Sequence, residues 1–256
     1  MSTSPSAARP SVFASVRAGL SALLRAPRAL LLLLAAQAVM SLLLALGRML
    51  PDAGIAPRAL FFGLLFVLDA ASELVAVSAL CFAHETLVLG KPARAAAFAL
   101  PCARARHGVP SAALTLALIV LAKNCLTFLC NAALSAGAWL PPPLSLLCVI
   151  LGTLGIGLFM LAFTLHMRAA LAFSSNIRGF FALLRDLKRW LPALLRFVLL
   201  CIPVLVPFLN LIQSLYDAPR SFISQFCFLL LLGAIQLLSY AALPFLYRGR
   251  VPLADN

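Results

Sequence analysis

The sequence predicts an all-α protein, a polytopic membrane bundle of six transmembrane helices, and three observations support this fold class. Of the 256 residues, 64% are hydrophobic and only 11% are charged, whereas a soluble domain is about half apolar and a quarter charged. The apolar residues form six long runs, and most of the basic residues lie between these runs. The composition excludes a soluble globular enzyme, a disordered chain and a secreted disulfide scaffold.

Each of the six runs is long enough to cross a bilayer, which takes about 20 apolar residues in a helix. The runs lack the period-two alternation of a membrane β-barrel, so helices are expected. Pro203 and Pro207 each remove a backbone donor from the fifth run and are expected to kink or split it. The predicted spans are residues 29–47, 59–82, 111–136, 143–166, 191–213 and 221–246.

The basic residues predict how these spans are oriented. Fifteen of the 20 Lys and Arg residues lie in the N-terminal segment, the second and fourth connections and the C-terminal tail. Six spans place these four segments on one side, which the positive-inside rule makes cytoplasmic. The expected location is the bacterial plasma membrane, with both termini cytoplasmic. The absence of acidic residues from 1–51 keeps the mitochondrial inner membrane as an alternative.

Three similar units recur along the chain. Pro27, Pro110 and Pro192 lie 83 and 82 residues apart, and each follows a basic stretch and opens an apolar run. This self-similarity predicts three repeated hairpins with cytoplasmic amphipathic helices in a single integral membrane domain. Its expected parts are an N-terminal cytoplasmic segment with an amphipathic helix (1–28), hairpin 1 (29–82), an interfacial segment and hairpin 2 (83–166), an interfacial helix and hairpin 3 (167–247), and a cytoplasmic tail (248–256).

The basic stretches before the first and fifth runs are amphipathic. In the first, Val12, Val16, Leu20, Leu23 and Leu24 recur at helical spacing. Such helices lie in the headgroup plane, where each basic side chain near an anionic lipid contributes about 1 kcal/mol. The plainer alternative is that these residues only set topology and anchor the chain. The expected headgroup contacts are Arg17, Arg25, Arg178, Arg185, Lys188 and Arg189.

Four polar residues lie deep inside the predicted spans. Asp69 and Glu73 share one face of the second span, and Lys123 and Asn124 lie in the third. Asp69 is 13 residues from the cytoplasmic end of its run and Lys123 is 12 from that of its own, so the two are expected to pair. In the structural interpretation, this pair fixes hairpin docking, and Glu73 is protonated or bonded to Asn124. In the functional interpretation, Asp69 and Glu73 line a path for a proton or cation.

A small polar group is expected near the cytoplasmic face. Its members share no HxxxH or CxxC spacing, so they are interpreted as solvated interfacial residues, and neither a metal nor a cofactor is expected. The sequence contains no GxSxG, HExxH or P-loop motif, so no catalytic residue is assigned. The group comprises His84, Glu85, Cys102, His107 and His166.

Three segments resemble a loose superfamily of six-helix bacterial inner-membrane proteins. They are VRAGLSALLRAPRALLLLL, LVLGKPARAAAFALPCARAR and FSSNIRGFFALLRDLKRWLPALL, the second with a Gly–basic–Pro turn at Gly90, Lys91 and Pro92. That superfamily includes proteins similar to the membrane domain of some glycerophosphodiester phosphodiesterases. The resemblance implies the six-helix architecture. It carries over no catalytic residue, because this sequence has no phosphodiesterase domain.

Together these features favour a non-enzymatic multi-pass protein that organises the membrane or assists a transport or envelope complex. One alternative is a small transporter or channel that uses Asp69 and Glu73. Another is a membrane enzyme that handles lipid phosphates through its cytoplasmic arginines. The expected partners are the bilayer, its anionic phospholipids, and either another membrane protein or a second copy of the chain; nucleic acid is not expected.

Overall fold

The computed structural model describes residues 11–50, 58–94, 96, 117, 120–121, 123–125, 141–173, 177–216 and 222–247. Within these residues the chain is helical and contains no strand, which confirms the predicted all-α class. The described residues between 117 and 125 are helical as well. The helices are α1 (Val12–Arg25), α2 (Pro27–Met49), α3 (Arg58–Ala83) with a π-helical continuation (His84–Val88), α4 (Pro142–Phe173), α5 (Ile177–Arg185), α6 (Leu187–Tyr216) and α7 (Phe222–Leu246).

A single residue, Ala26, separates α1 from α2. Ser11 caps the start of α1, where its side-chain oxygen accepts a hydrogen bond from Ala14 N at 3.1 Å. Ala26 leaves the helical region, with φ −119° and ψ 68°, because the ring of the following Pro27 disfavours the α conformation before it. Pro27 then opens α2. The proline therefore divides the amphipathic segment from the first apolar helix.

The far end of α3 is closed by a glycine. Beyond the π-helical turn, Lys91 N donates to Glu85 O at 3.0 Å. Gly90 has a φ of +68°, a backbone conformation that residues with a side chain rarely adopt. Pro92 follows and has no N–H with which to continue the helix. The Gly90–Lys91–Pro92 turn therefore ends the second apolar helix.

α2 contacts both α3 and α7. α4 packs against α3 and α6, and α1 crosses α7. Among the side chains that the structure describes, buried residues lie along α2 from Ala29 to Ala45 and in the last parts of α3, α4 and α7. Small residues let helix backbones approach closely. The buried alanines are Ala29, Ala36, Ala45, Ala76, Ala79, Ala83, Ala162, Ala169, Ala170, Ala172, Ala241 and Ala242.

Two helical stretches in the described residues are long and apolar enough to cross a membrane, judged by length and composition: Pro27–Gly47 and Leu60–Val88. They coincide with the first two predicted spans. The other four spans and the threefold repetition of hairpins stay predictions. Pro203 and Pro207 were expected to kink or split the fifth run. α6 is helical from Leu187 to Tyr216, so they do not split it.

A glycine sets the contact between α1 and α7. Gly19 is buried, and a Cβ placed on it would overlap the carbonyl oxygen of Ala241. The buried face of α1 also includes Ser15, whereas Leu20 and Leu24, which were expected on the apolar stripe, are exposed. The prediction followed hydropathy, but the docked face is the one whose small residues permit the closest backbone approach.

Replacing Gly19 by Ala is expected to lower the free energy of unfolding by about 1–3 kcal/mol, because the added methyl group overlaps Ala241. Gly63 on α3 provides a matched control, since nothing lies within 4 Å of a Cβ at that position. Gly63→Ala should be neutral or slightly stabilising. Thermal unfolding in detergent micelles measures both variants. Equal stability of the two would show that α1 does not dock on α7 in this way.

Candidate functional site

A network of charges lies inside the bundle and is centred on Glu73 of α3. The Glu73 side chain is 1% exposed. Arg168 of α4 donates two hydrogen bonds to its carboxylate, from Nε to Oε2 at 2.7 Å and from Nη2 to Oε1 at 2.8 Å. Lys123 Nζ donates to Oε1 at 2.9 Å. Bidentate and charge-assisted bonds of this kind are the strong ones in proteins, and they offset the desolvation of the buried carboxylate.

Asp69, one helical turn from Glu73, extends the network outward. Lys123 Nζ lies 2.5 Å from Asp69 Oδ1, so the contact expected from their matching depths is present. Asn124 Nδ2 lies 3.5 Å from Asp69 Oδ2. The Asp69 side chain is 20% exposed. One edge of this carboxylate therefore reaches the surroundings, unlike that of Glu73.

Arg168 is the charged member of the network that the sequence prediction missed. It lies two residues beyond the predicted end of the fourth span, where it was grouped with the cytoplasmic charges. In the structure α4 continues to Phe173, and residues 169–173 after the arginine are buried. This resumed apolar run, AALAF, is the signal that places Arg168 inside a helix. Glu73 thus bonds Arg168 and Lys123 and not Asn124, as one form of the prediction held, whereas the Asn124 amide lies beside Asp69.

The network joins four helical segments and balances its own charge. Arg168 Nη1 donates to Gln236 Oε1 of α7 at 2.9 Å, which adds α7 to α3, α4 and the helical residues around Lys123. Among the residues that the structure describes here, two carboxylates face two cations, so their formal charges cancel. A neutral, fully hydrogen-bonded cluster is the form in which charges are tolerated at low dielectric.

A cavity of about 630 Å³ ends at the exposed side of this network. Asp69, Lys123 and Asn124 form its polar end. Small-molecule sites are mostly apolar, carry a few polar groups and measure about 300–1,000 Å³, so the cavity has the size and lining of a binding site. The other described residues of the lining are Leu43, Leu44, Gly47, Phe62, Leu65, Phe66 and Leu68.

A second polar cluster lies where α4, α5, α6 and α7 meet. His166 Nε2 is 2.8 Å from the carbonyl oxygen of Leu183, and Nδ1 is 2.7 Å from the Tyr247 hydroxyl. Because a carbonyl only accepts, Nε2 donates to Leu183 and Nδ1 accepts from Tyr247. Trp190 stacks on the Tyr247 ring with centroids 4.2 Å apart. With both ring nitrogens engaged, His166 joins these helices rather than offering a ligand position.

The prediction that this group of residues is solvated is wrong for two of its members. His166 and His84 are both buried, and the His84 ring lies against Phe173 with centroids 5.1 Å apart. Glu85 pairs with Lys91 at 3.7 Å. Cys102 and His107 lie outside the described residues. Among the residues that the structure does describe, no three His, Cys, Asp or Glu side chains are grouped to hold a metal ion.

The expected headgroup residues occupy exposed positions wherever their side chains are described. Arg17 and Arg25 are exposed on α1, close to the exposed apolar side chains of Phe13 and Leu24. An apolar face bordered by arginines is typical of a helix that lies at a membrane surface. The Arg178 side chain lies outside the described part. Exposed basic residues around the start of α6 are Arg185, Lys188 and Arg189.

The charge network predicts strong coupling between Glu73 and Arg168. Replacing Arg168 by Met leaves an uncompensated negative charge in the interior and is expected to cost about 3–5 kcal/mol of unfolding free energy. Adding Glu73→Gln restores neutrality and should recover at least about 1 kcal/mol. Arg196→Met, at an exposed position of α6, is the control and should change little. Simply additive losses in thermal unfolding would contradict the coupling.

No protein-family model, no curated protein and no solved structure matches this chain. Even a shared fold would not settle its activity, because one fold supports many unrelated functions. The functional proposal therefore depends on the charge network, the cavity and the exposed apolar faces of the helices.

Proposed function

We propose that this chain is a non-enzymatic, six-span protein of the bacterial plasma membrane that organises the membrane or serves as an accessory to a transport or envelope complex. The observation that supports this proposal is the placement of side chains on α2 and α3. Many large apolar side chains are exposed, whereas the polar side chains of Glu73 and Gln37 are buried. Lipid favours this distribution and water does not. The exposed apolar residues include Leu31, Leu32, Leu34, Val39, Leu42, Leu46, Leu60, Phe62, Leu64, Phe66, Val67 and Leu74.

Helix lengths support six crossings. α4, α6 and α7 contain 32, 30 and 25 residues. At 1.5 Å per residue even the shortest is about 37 Å long, which exceeds a hydrocarbon core of about 30 Å. With α2, α3 and the helix around Lys123 they make up the six spans. In this topology the basic segments and both termini are cytoplasmic.

The pairing of the intramembrane charges supports a structural role for them. Glu73 accepts three charge-assisted hydrogen bonds, and Asp69 is paired with Lys123. A small transporter or channel that uses Asp69 and Glu73 is the second candidate, and the cavity that reaches Asp69 favours it. An ion pathway needs a polar lining, whereas large apolar side chains form most of the described lining of this cavity. The structural role therefore agrees better with the geometry.

Reporter fusions test the proposed topology. Alkaline phosphatase is active only outside the cytoplasm, so it should be inactive when fused after Asn256 and active when inserted after Asp52. Green fluorescent protein at the same two positions is the complementary control. Extraction of the protein by alkaline carbonate, or an active phosphatase at Asn256, would overturn the proposal.

Anionic lipid should stabilise the protein through α1. The parent protein should be more stable in phosphatidylglycerol vesicles than in phosphatidylcholine vesicles. The double variant Arg17→Gln and Arg25→Gln should lose up to about 1 kcal/mol of this difference for each arginine replaced. Thermal unfolding in the two vesicle types measures the difference. In about 1 M salt, screening should make the variant and the parent protein alike. A lipid dependence that the substitutions leave unchanged would contradict headgroup contact.

A further inference from the structure

The cavity beside Asp69 has one polar end and a long apolar wall. Lys123 and Asn124 join Asp69 at the polar end, and the other described lining residues lie on α2 and α3. Phe62 and Phe66 of that wall are 64% and 40% exposed, so the cavity reaches the lateral surface of the bundle. In a membrane-embedded protein this surface faces acyl chains. A molecule entering here would therefore arrive from the bilayer.

The charges at the polar end specify what the entering head group can be. Asp69 is already paired with Lys123, and the charges of the four ionised side chains that the structure describes in the network sum to zero. A charged head group would leave an uncompensated charge at low dielectric, where it is costly. The polar end therefore favours an uncharged head group that forms hydrogen bonds.

The distance between Asp69 and Asn124 indicates which kind of uncharged head group the polar end would bind. Asp69 Oδ2 and Asn124 Nδ2 are 3.5 Å apart, which is long for a direct hydrogen bond. The carboxylate oxygen accepts and the amide nitrogen donates. A hydroxyl group both donates and accepts, so it complements this pair in a way that a carbonyl or an ammonium group does not.

We propose that this cavity binds an uncharged, hydroxyl-bearing amphiphile drawn from the bilayer. Its hydroxyl donates to Asp69 and accepts from Asn124, and its apolar chain lies along Phe62 and Phe66. The volume of about 630 Å³ accommodates a drug-sized molecule or the head and upper chains of a lipid. This inference rests on the proposed membrane location and adds a ligand class to it.

Photolabelling in nanodiscs tests the site. The probe is a diacylglycerol with a diazirine in one acyl chain, and phosphatidylglycerol with the same chain is the charged comparison. Diacylglycerol should label the segment that contains Phe62 and Phe66, and unlabelled diacylglycerol should compete. Gly47→Leu should reduce this competed labelling about tenfold. A Cβ at Gly47 sits at ordinary contact distance from Leu65, 3.7 Å, so the larger side chain fills the cavity.

Two further variants keep the result interpretable. Gly63→Leu makes the same change at an exposed position of α3 and should leave competed labelling intact. Asn124→Ala removes a head-group contact without filling the cavity and should also weaken labelling.

If both lipids label only the outer faces and no labelling is competed, the site is wrong and the membrane location stands. If neither lipid labels any segment, the membrane location itself is wrong. Stronger competed labelling by phosphatidylglycerol would overturn the uncharged head group.

Discussion

The bidentate contact between Glu73 and Arg168 imposes a register on the helices around it. A helix turns by about 100° per residue, so sliding or rotating α4 by one position would carry the guanidinium away from the carboxylate. Lys123 and Gln236 bind the same pair and extend the requirement to two more helical segments. The cost of an unpaired interior charge thus selects one arrangement among many that would bury similar apolar area.

Close contacts between helices also hold the bundle together. Gly233 of α7 lies so near α2 that a Cβ on it would overlap the side chain of Gln37. Gln37 in turn donates to Ser41 Oγ at 3.1 Å within α2. Where lipid surrounds a protein, apolar burial distinguishes poorly between helix faces, because acyl chains are as apolar as leucine. Glycine, alanine and a few polar side chains then decide which faces meet.

Much of the coarse architecture could be predicted from the sequence, because long apolar runs report helices directly. The pairing of Asp69 with Lys123 was also predictable, since both positions can be counted from the ends of their runs. Arg168 was misplaced because an arginine after an apolar run looks like the start of a loop. The buried position of His166 depends on Trp190 and Tyr247, which are distant in sequence. Helical periodicity likewise predicted an apolar stripe on α1, but it did not identify Gly19 as the residue that contacts α7.

The contact between α1 and α7 joins two segments that lie far apart in the sequence. Gly19 and Ala241 are separated by more than 200 residues, and ribosomes add roughly 5–20 residues per second. After α1 is synthesised, about ten seconds or longer therefore pass before its partner helix α7 is synthesised. During that interval the α7-facing surface of α1 is open to chaperones, lipids and neighbouring proteins, so the synthesis of α7 sets the earliest time at which α1 can dock.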